Sequence, residues 1–461
     1  MFTFDLQKHR YKKIHFIGIG GVSMSGIAIL LQASGYEVSG SDSQDGEAQE
    51  HLRDHGITVH IGQKKENITD QDLFVYTDAI SEDNEELIAA RATGKEVISR
   101  GVILGALMKN YKRSIAVSGA HGKSTTTSML TKILVNSKTD ASILLGGMLD
   151  EIDGNVLIGQ SDYFLTEACE YKANILYYYP QTAVILNIDA DHLDFYKDLD
   201  HIVDTFKEYM HHLSPDSSVV LNIDDEQNRR IIPDISCKLY TYGQAEDAMF
   251  RVKNIAYDEH GYPSFDLDFE GQSHHFELTV LGNYNVINAP AAIIAAYINS
   301  IPMDSIKESL KLYKSLHRRM EVVGFYNDTM VINDYGHHPS EIKQALATVK
   351  EHINKRVIVA FQSHTYSRTK SLLKAFSESF DDADFVISTE IYAAREPFDP
   401  TIKFEDLVAL LNDRGVRSIH LQTYDQMEAY LRKNLTKDDI LITLGAGPID
   451  KLAKKLVNKK A

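Results

Sequence analysis

A lysine set among glycines and hydroxyls, in Gly119-Ala120-His121-Gly122-Lys123-Ser124-Thr125, carries the plainest chemistry in the chain. The apolar run from Ile115 to Val117 precedes it and a helix-compatible stretch follows, the strand, glycine turn and helix order of a phosphate-binding loop. Glycines let successive backbone N–H groups curl toward one anion, and a helix N-terminus adds its positive end. Lys123 would bring a charge to the outer phosphates, and Ser124 or Thr125 a hydroxyl to Mg²⁺. Only Ala120 and His121 separate the two glycines where the usual loop has four residues, so this is a shortened variant.

Two downstream stretches end in polar tips. Asp162-Tyr-Phe-Leu-Thr-Glu167-Ala-Cys-Glu170 reads as an apolar strand closing on carboxylates, and Thr182-Ala-Val-Ile-Leu-Asn187-Ile-Asp189-Ala-Asp191-His192-Leu-Asp194 as another. In an open α/β sheet ligands sit at the carboxyl ends of strands, so both tips are expected to face the phosphate loop. Glu167 with a loop hydroxyl makes an oxygen shell suited to Mg²⁺, and His192 is a candidate ligand for a second ion. Asn285 and Asn288 stand three residues apart at the start of an alanine-rich helix, able to read an adenine edge or to cap the helix. Further on, Arg318 and Arg319 could clasp a phosphate. Asp334-Tyr335-Gly-His337-His338-Pro339 and His364-Thr-Tyr366-Ser-Arg368 each follow an apolar strand. The adjacent histidines suit substrate hydrogen bonding better than a metal, since neighbouring side chains diverge and no thiol or spaced third histidine accompanies them.

A second glycine turn opens the chain: Gly18-Ile-Gly20-Gly21-Val22-Ser23-Met-Ser-Gly26, between the strand-like Lys13 to Ile17 and a helix. Asp42 follows at about the spacing of some twenty residues at which an acid meets a ribose hydroxyl, although Ser23 stands where a third glycine is usual. Alternating strands and helices run on through Val59 to Ile61, Leu73 to Tyr76, Asn84 to Ala92 and Val97-Ile98. The pattern predicts an α/β chain of three domains: a Rossmann-like domain at residues 1–111, a P-loop-type mixed-sheet domain at 112–315, and a second Rossmann-like domain at 316–461. Residues 250 to 280 alternate as added antiparallel strands would.

With 461 residues the chain exceeds what one core usually serves. Its net charge of −17 argues against a nucleic-acid partner or an anionic membrane surface. Two cysteines, Cys169 and Cys237, fit a reducing compartment. No run is long and apolar enough for a membrane span or a secretion signal, so a cytoplasmic enzyme is expected. His211-His212, His274-His275 and the basic end at Lys454, Lys455, Lys459 and Lys460 read as solvated surface.

Taken together these stretches resemble the Mur ligases of peptidoglycan synthesis, over essentially the whole length. I-H-F-I-G-I-G-G-V-S-M-S-G-I-A, S-G-A-H-G-K-S-T-T, E-A-C-E, N-I-D-A-D-H-L-D, N-Y-N-V-I-N-A, H-R-R-M-E, N-D-Y-G-H-H-P-S-E-I and F-Q-S-H-T-Y-S-R occur in that family's order. The resemblance implies ATP phosphates on the Gly119–Thr125 loop, Mg²⁺ on Ser124 and Glu167 with a second ion near His192, and adenine on Asn285 and Asn288. It further implies phosphate or ribose contacts from Arg319 and Asp334, and amino-acid and muramyl contacts from Tyr335, His337, His364 and Arg368. A UDP-sugar would lie on Gly18, Gly20, Gly21, Val22, Ser23, Asp42, Thr77 and Ala79. The pattern departs from the family's at Tyr284, Gln63, Thr365, Met320 and Pro448.

The implied reaction joins L-alanine to the lactyl carboxylate of UDP-N-acetylmuramate through an acyl phosphate, with Lys123, His192, Arg319 and Asp334 as the catalytic set. The third domain is expected to close when nucleotide binds, and the chain to work as a monomer or weak homodimer. Rival readings are a murein-peptide recycling ligase that adds a preformed peptide, an NAD-dependent dehydrogenase that would leave the phosphate loop idle, and a nucleotide-sensing module that would not need Lys123, Glu167 and His192 together.

Overall fold

The computed structural model describes residues 2–458 apart from His9, Asp194 and Arg395; Asp194 and the terminal Lys459 and Lys460 named above therefore lie outside the described residues. The chain forms two compact units, one of Met1–Lys253 with Asp266–Phe276 and Ile287–Lys311, the other of Asn254–Phe265 with Glu277–Val286 and Leu312–Ala461.

Short strands of buried aliphatic residues build a five-stranded parallel sheet in the first unit. Its order is Thr58–Ile61, Glu37–Asp42, Lys13–Ile17, Leu73–Tyr76, Glu96–Ser99. Lys13–Ile17 is flanked by the second and fourth strands, so the strand order reverses beside it. The glycine turn at its carboxyl end stands at that switch point, where open α/β sheets bind ligands. The helix that leaves the turn is Val22–Ala33, so it begins inside the glycine stretch that runs to Gly26.

A second sheet in this unit is centred on Arg113–Ser118, which pairs in parallel with Thr182–Ile185 on one side and Tyr163–Glu167 on the other. Ser218–Asn222 and Lys238–Gly243 extend it beyond Thr182–Ile185, and Ser142–Leu149 with the antiparallel Gly154–Leu157 beyond Tyr163–Glu167. At the far edge Phe250–Tyr257 pairs in parallel with Lys238–Gly243, where an antiparallel strand was expected, and Pro263–Phe269 and Gln272–Glu277 follow it in the sheet order. Ile115, Val117, Leu165, Val184 and Ile185 are fully buried, the near-continuous apolar pattern of parallel strands covered on both faces.

The regions expected as first and second domains share one unit because their packing is close. A Cβ on Gly105, in the helix Arg100–Met108, would lie 1.8 Å from the Tyr177 carbonyl oxygen. Asn155 Nδ2 donates to the Val22 carbonyl at 2.8 Å, and Lys172 Nζ to that of Asp78 at 2.7 Å.

The second unit holds a six-stranded sheet in the order Glu321–Tyr326, Thr329–Asp334, Asp439–Leu444, Arg356–Phe361, Phe385–Ser388, Ser418–His420. The first pair is antiparallel and the rest parallel. Helices Pro339–His352 and Asp450–Asn458 are among those that cover it. Among the described residues no helix is long and apolar enough to cross a membrane.

Candidate active site

Parallel pairing of Arg113–Ser118 with both neighbours brings three strand ends together. Gly119 and Gly122 take φ of +137° and +85°, values that L side chains rarely adopt, and Gly122 caps the helix Lys123–Asn136 without any side-chain partner. The first N–H groups of that helix are thus left for an anion. Asn187, at the tip beyond Thr182–Ile185, holds the loop from behind: its Oδ1 accepts from His121 N at 2.9 Å and its Nδ2 donates to the His121 carbonyl at 3.0 Å.

Lys123 Nζ donates to the carbonyls of Gly119 and Ala120 and stands 3.1 and 3.2 Å from the two carboxylate oxygens of Glu170. The lysine is therefore held inside its own loop by an acid. Ser124 Oγ donates to Glu167 Oε2 at 3.0 Å, while Glu167 Oε1 accepts from Gly146 N at 2.7 Å. Of the two hydroxyl candidates it is Ser124 that meets the carboxylate; the Thr125 carbonyl accepts from Ser128 within the helix. His192, at φ +54°, lies 3.9 Å from Glu170 Oε1 and packs its ring 4.8 Å from that of Tyr171. Glu170, Asp191 and His192 offer ligand atoms within 4.8 Å of one another. Glu170 and Asp191 were absent from the sequence-derived ligand set. The repeated acids of E-A-C-E and D-A-D-H were the available signal, but their directions depend on the sheet.

Asn288 is 3% exposed and its Oδ1 would lie 2.4 Å from a Cβ on Gly122, which puts the amide against the phosphate loop. Its Nδ2 has no hydrogen-bond partner, and neither has Oδ1 of the buried Asn285, whose Nδ2 is spent on the Leu281 carbonyl. Buried polar atoms without partners are rare, and a purine edge supplies both donors and acceptors.

At the other glycine turn, Gly18 N and Ile19 N donate to the Ser41 carbonyl, both at 2.9 Å. Asp42, expected to reach a ribose, turns Oδ2 onto Gly20 N at 2.8 Å and braces the turn. A Cβ on Gly20 would fall 2.0 Å from Gln49 Nε2 and 2.9 Å from that oxygen, so the amide and the acid together take the space glycine leaves. Thr77 N donates to the Ile17 carbonyl, and Ala79 N meets Thr77 Oγ1 at 3.5 Å. Val22 and Gly21 are exposed, and Ser23 Oγ accepts from Arg100, a residue the sequence reading did not single out. Gln63 accepts from Asn84 Nδ2.

In the second unit the two adjacent arginines part ways. Arg318, at φ +59°, donates to the carbonyls of Gly445 and Gly447 and lies over the Tyr335 ring at 4.7 Å, whereas Arg319 is exposed. Asp334 is buried and accepts from Met320 N at 2.8 Å and Gly336 N at 2.7 Å. Burial pushes its carboxyl up, against the pull of those two N–H groups and of Arg319.

Tyr335, His337, His364 and Arg368 come together: ring centroids of Tyr335 and His337 are 5.1 Å apart and those of His337 and His364 5.6 Å, and Arg368 Nη1 is 3.2 Å from His364 Nδ1. Burial holds both histidines below their ordinary value, with Arg368 adding to the effect. Tyr392, 5.8 Å from His364, completes the aromatic wall and was missed. His338 is spent as the cap of Pro339–His352. Thr365, at φ +67°, caps Tyr366–Ser371. Tyr284 is half-buried, and burial pushes its phenol up.

Three family models match in succession: "Mur ligase family, catalytic domain" over residues 13–112, "Mur ligase middle domain" over 117–296 and "Mur ligase, glutamate ligase domain" over 318–447. The UDP-N-acetylmuramate–L-alanine ligase of Clostridium acetobutylicum is 43% identical over 458 residues, covering 99% of this chain and 100% of that protein. That of Caldanaerobacter subterraneus is 42% identical over 459 residues, 99% of each. Among solved structures, the UDP-N-acetylmuramate-alanine ligase of Thermotoga maritima superimposes with a TM-score of 0.77 at 25% identity, covering 97% of this chain and 98% of that one. The order of the two glycine turns, the acid-backed lysine and the matches that run from residue 13 to 447 have one common explanation: the chain belongs to the Mur ligase family.

Proposed function

We propose that this chain is an ATP-dependent carbon–nitrogen ligase of peptidoglycan precursor synthesis, working in the cytoplasm, which joins L-alanine to the lactyl carboxylate of UDP-N-acetylmuramate. The observation that carries the reading is the phosphate loop, in which Lys123 is braced by Glu170 and Ser124 by Glu167, within one unit that also holds the Asp42-braced glycine turn. Full-length relatives with that printed activity support the choice of substrates.

A carboxylate is a poor electrophile, so the lactyl oxygen first attacks the γ-phosphorus of ATP, giving an acyl phosphate and ADP. The amine of L-alanine then attacks the acyl carbon, the C–O bond to phosphate breaks, and the amine's proton passes to solvent or base as phosphate leaves. Fixing carboxylate and γ-phosphate together contributes on the order of 7–11 kcal/mol. Lys123 and the uncapped helix start receive the charge of the transferred phosphoryl group. In the second unit Arg319 offers a cation for phosphate, with Asp334 holding the backbone beside it. Asn285 and Asn288 offer their unpaired amide atoms to the adenine. The sugar nucleotide lies on the first glycine turn with Val22, Ser23, Thr77 and Ala79, so that binding energy far from the reaction positions the carboxylate. Tyr335, His337, His364 and Arg368 receive the amino acid and the muramyl end.

The donor set suits a hard divalent cation: one hydroxyl and one carboxylate at Ser124 and Glu167, and two carboxylates and an imidazole at Glu170, Asp191 and His192. Ser124 and Glu167 would hold one Mg²⁺ and His192 a second, and the ions would neutralise charge on the phosphates. The test is inorganic phosphate release that requires UDP-N-acetylmuramate and L-alanine together. Release with a preformed peptide but not with L-alanine would assign the chain to peptide recycling instead.

A further inference from the structure

Beneath the first glycine turn lies a charge that the reaction does not use. Glu86, on the helix Glu85–Ala92, is fully buried, as are His15 and Ser41, with which it is bonded. Its Oε1 meets His15 Nε2 and Asn67 Nδ2, both at 2.9 Å, and its Oε2 accepts from Ser41 Oγ. His15 Nδ1 is in turn 2.8 Å from Ser39 Oγ. A buried carboxylate is costly unless fully bonded, and an apolar side chain in such a place often serves stability as well or better.

Each donor to Glu86 belongs to a different segment around the switch point. The Ser41 carbonyl receives Gly18 N and Ile19 N, and the next residue, Asp42, receives Gly20 N. Asn67 Nδ2 also donates to the Gly62 carbonyl at 2.9 Å, and Gly62 N donates to the Asp42 carbonyl at 2.7 Å. His15 sits in the strand that runs directly into Gly18. From the helix side, Asn84 caps the Glu86 and Leu87 N–H groups while its Nδ2 holds Gln63. One carboxylate thus ties the middle of Lys13–Ile17 to the carboxyl ends of Glu37–Asp42 and, through Asn67 and Gly62, of Thr58–Ile61.

We propose that Glu86 is a positioning residue for the sugar-nucleotide site: it fixes the glycine turn and the Gly62–Asn67 loop in register with each other before ligand arrives. The inference rests on the reading of Gly18 to Asp42 as that site. Preorganisation of this kind shows in affinity for the sugar nucleotide, because the loops no longer have to be ordered on binding.

The experiment is calorimetric titration of the full chain with UDP-N-acetylmuramate and, separately, with ATP, together with steady-state kinetics, for wild type, Glu86→Gln and Asn67→Ala. Glu86→Gln, which exchanges a charged acceptor for a neutral amide, is expected to raise both Kd and KM for the sugar nucleotide about tenfold. ATP affinity and kcat at saturating sugar nucleotide stay at the wild-type values. Asn67→Ala, which frees only the Gly62–Asn67 loop from a half-buried position, raises the same two constants less and carries the test alone if Glu86→Gln does not fold. Unchanged sugar-nucleotide affinity in these variants, or ATP affinity falling in step with it, overturns the role given to Glu86. A wild-type chain that does not bind UDP-N-acetylmuramate overturns the functional reading and this inference with it.

Discussion

Lys123 Nζ lies 3.1 Å from Oε1 and 3.2 Å from Oε2 of Glu170, a carboxylate only 2% exposed. The acid keeps the ammonium within the loop, where the first N–H groups of the following helix also point. Lys123→Ala is expected to lower phosphate release by about a hundredfold or more, since one preorganised charge at the transferred group is removed. Calorimetry should show UDP-N-acetylmuramate binding nearly as before. A variant with full turnover would falsify the role given to the lysine.

Glu170→Ala acts differently, because it leaves the ammonium in a largely enclosed site without its counter-charge. Breaking one partner of a buried pair costs about 3–5 kcal/mol, and the solvent that reaches this lysine puts the expectation at the lower end. Chemical denaturation of the two single variants and the double variant measures it. Additive effects would show that the two groups do not interact.

Gly105 and Gly122 are each required by what surrounds them. A methyl at Gly105 would enter the Tyr177 carbonyl, and one at Gly122 would meet Asn288 while forcing an L residue to φ +85°. Gly105→Ala is expected to destabilise the unit by about 1–3 kcal/mol through overpacking, with ATP affinity retained. Gly122→Ala should cost about 1–2 kcal/mol of strain and also weaken ATP binding, because the backbone of the loop must move. Equal ATP affinity in the two variants would contradict this division.

His337 and His364 are both held below the ordinary 6.5, first by burial. A folded-state value below the unfolded one means that the unfolded chain takes up more protons as pH falls through 6.5. The stability these groups contribute is complete above that pH and is lost as pH drops toward the depressed folded values. Denaturation midpoints measured from pH 5 to 7 should rise with pH more steeply in the wild type than in His337→Gln or His364→Gln. A slope unchanged by both substitutions would rule the effect out.

Asp334 accepts from two backbone donors at once. In Asp334→Asn one of those N–H groups must face an NH₂, which leaves a buried donor unpaired at a cost of about 1–3 kcal/mol. Thermal unfolding should register the loss, and Asp334→Asn should also release less phosphate because the chain beside Arg319 is no longer fixed. Wild-type stability in Asp334→Asn would show that the two bonds do not matter.

Much of the architecture was legible in the residues because its causes are local. Apolar runs such as Ile115 to Val117 and Leu73 to Tyr76 mark strands, glycines at 18, 119 and 122 mark turns that need positive φ, and Asn84 marks a helix start. The phosphate loop could be recognised within a dozen residues, since its strand, turn and helix lie next to one another in the chain. The partners of its side chains could not. Glu170 reaches Lys123, and Glu167 reaches Ser124, only because Tyr163–Glu167 is laid in parallel beside Arg113–Ser118, a choice of strand order that no local pattern records. Arg318 and Arg319 are chemically identical neighbours, and only the path of the backbone sends one into the Gly445–Gly447 carbonyls and leaves the other exposed. The bond from Gly20 N to Asp42 joins residues 22 positions apart, and Glu86 drew no notice as one acid among 65 acidic residues. Backbone conformation is set over a few residues by sterics and burial, so the sequence determined the elements. The pairing of charges and amides is set by which strands lie side by side, and that only the tertiary structure decided.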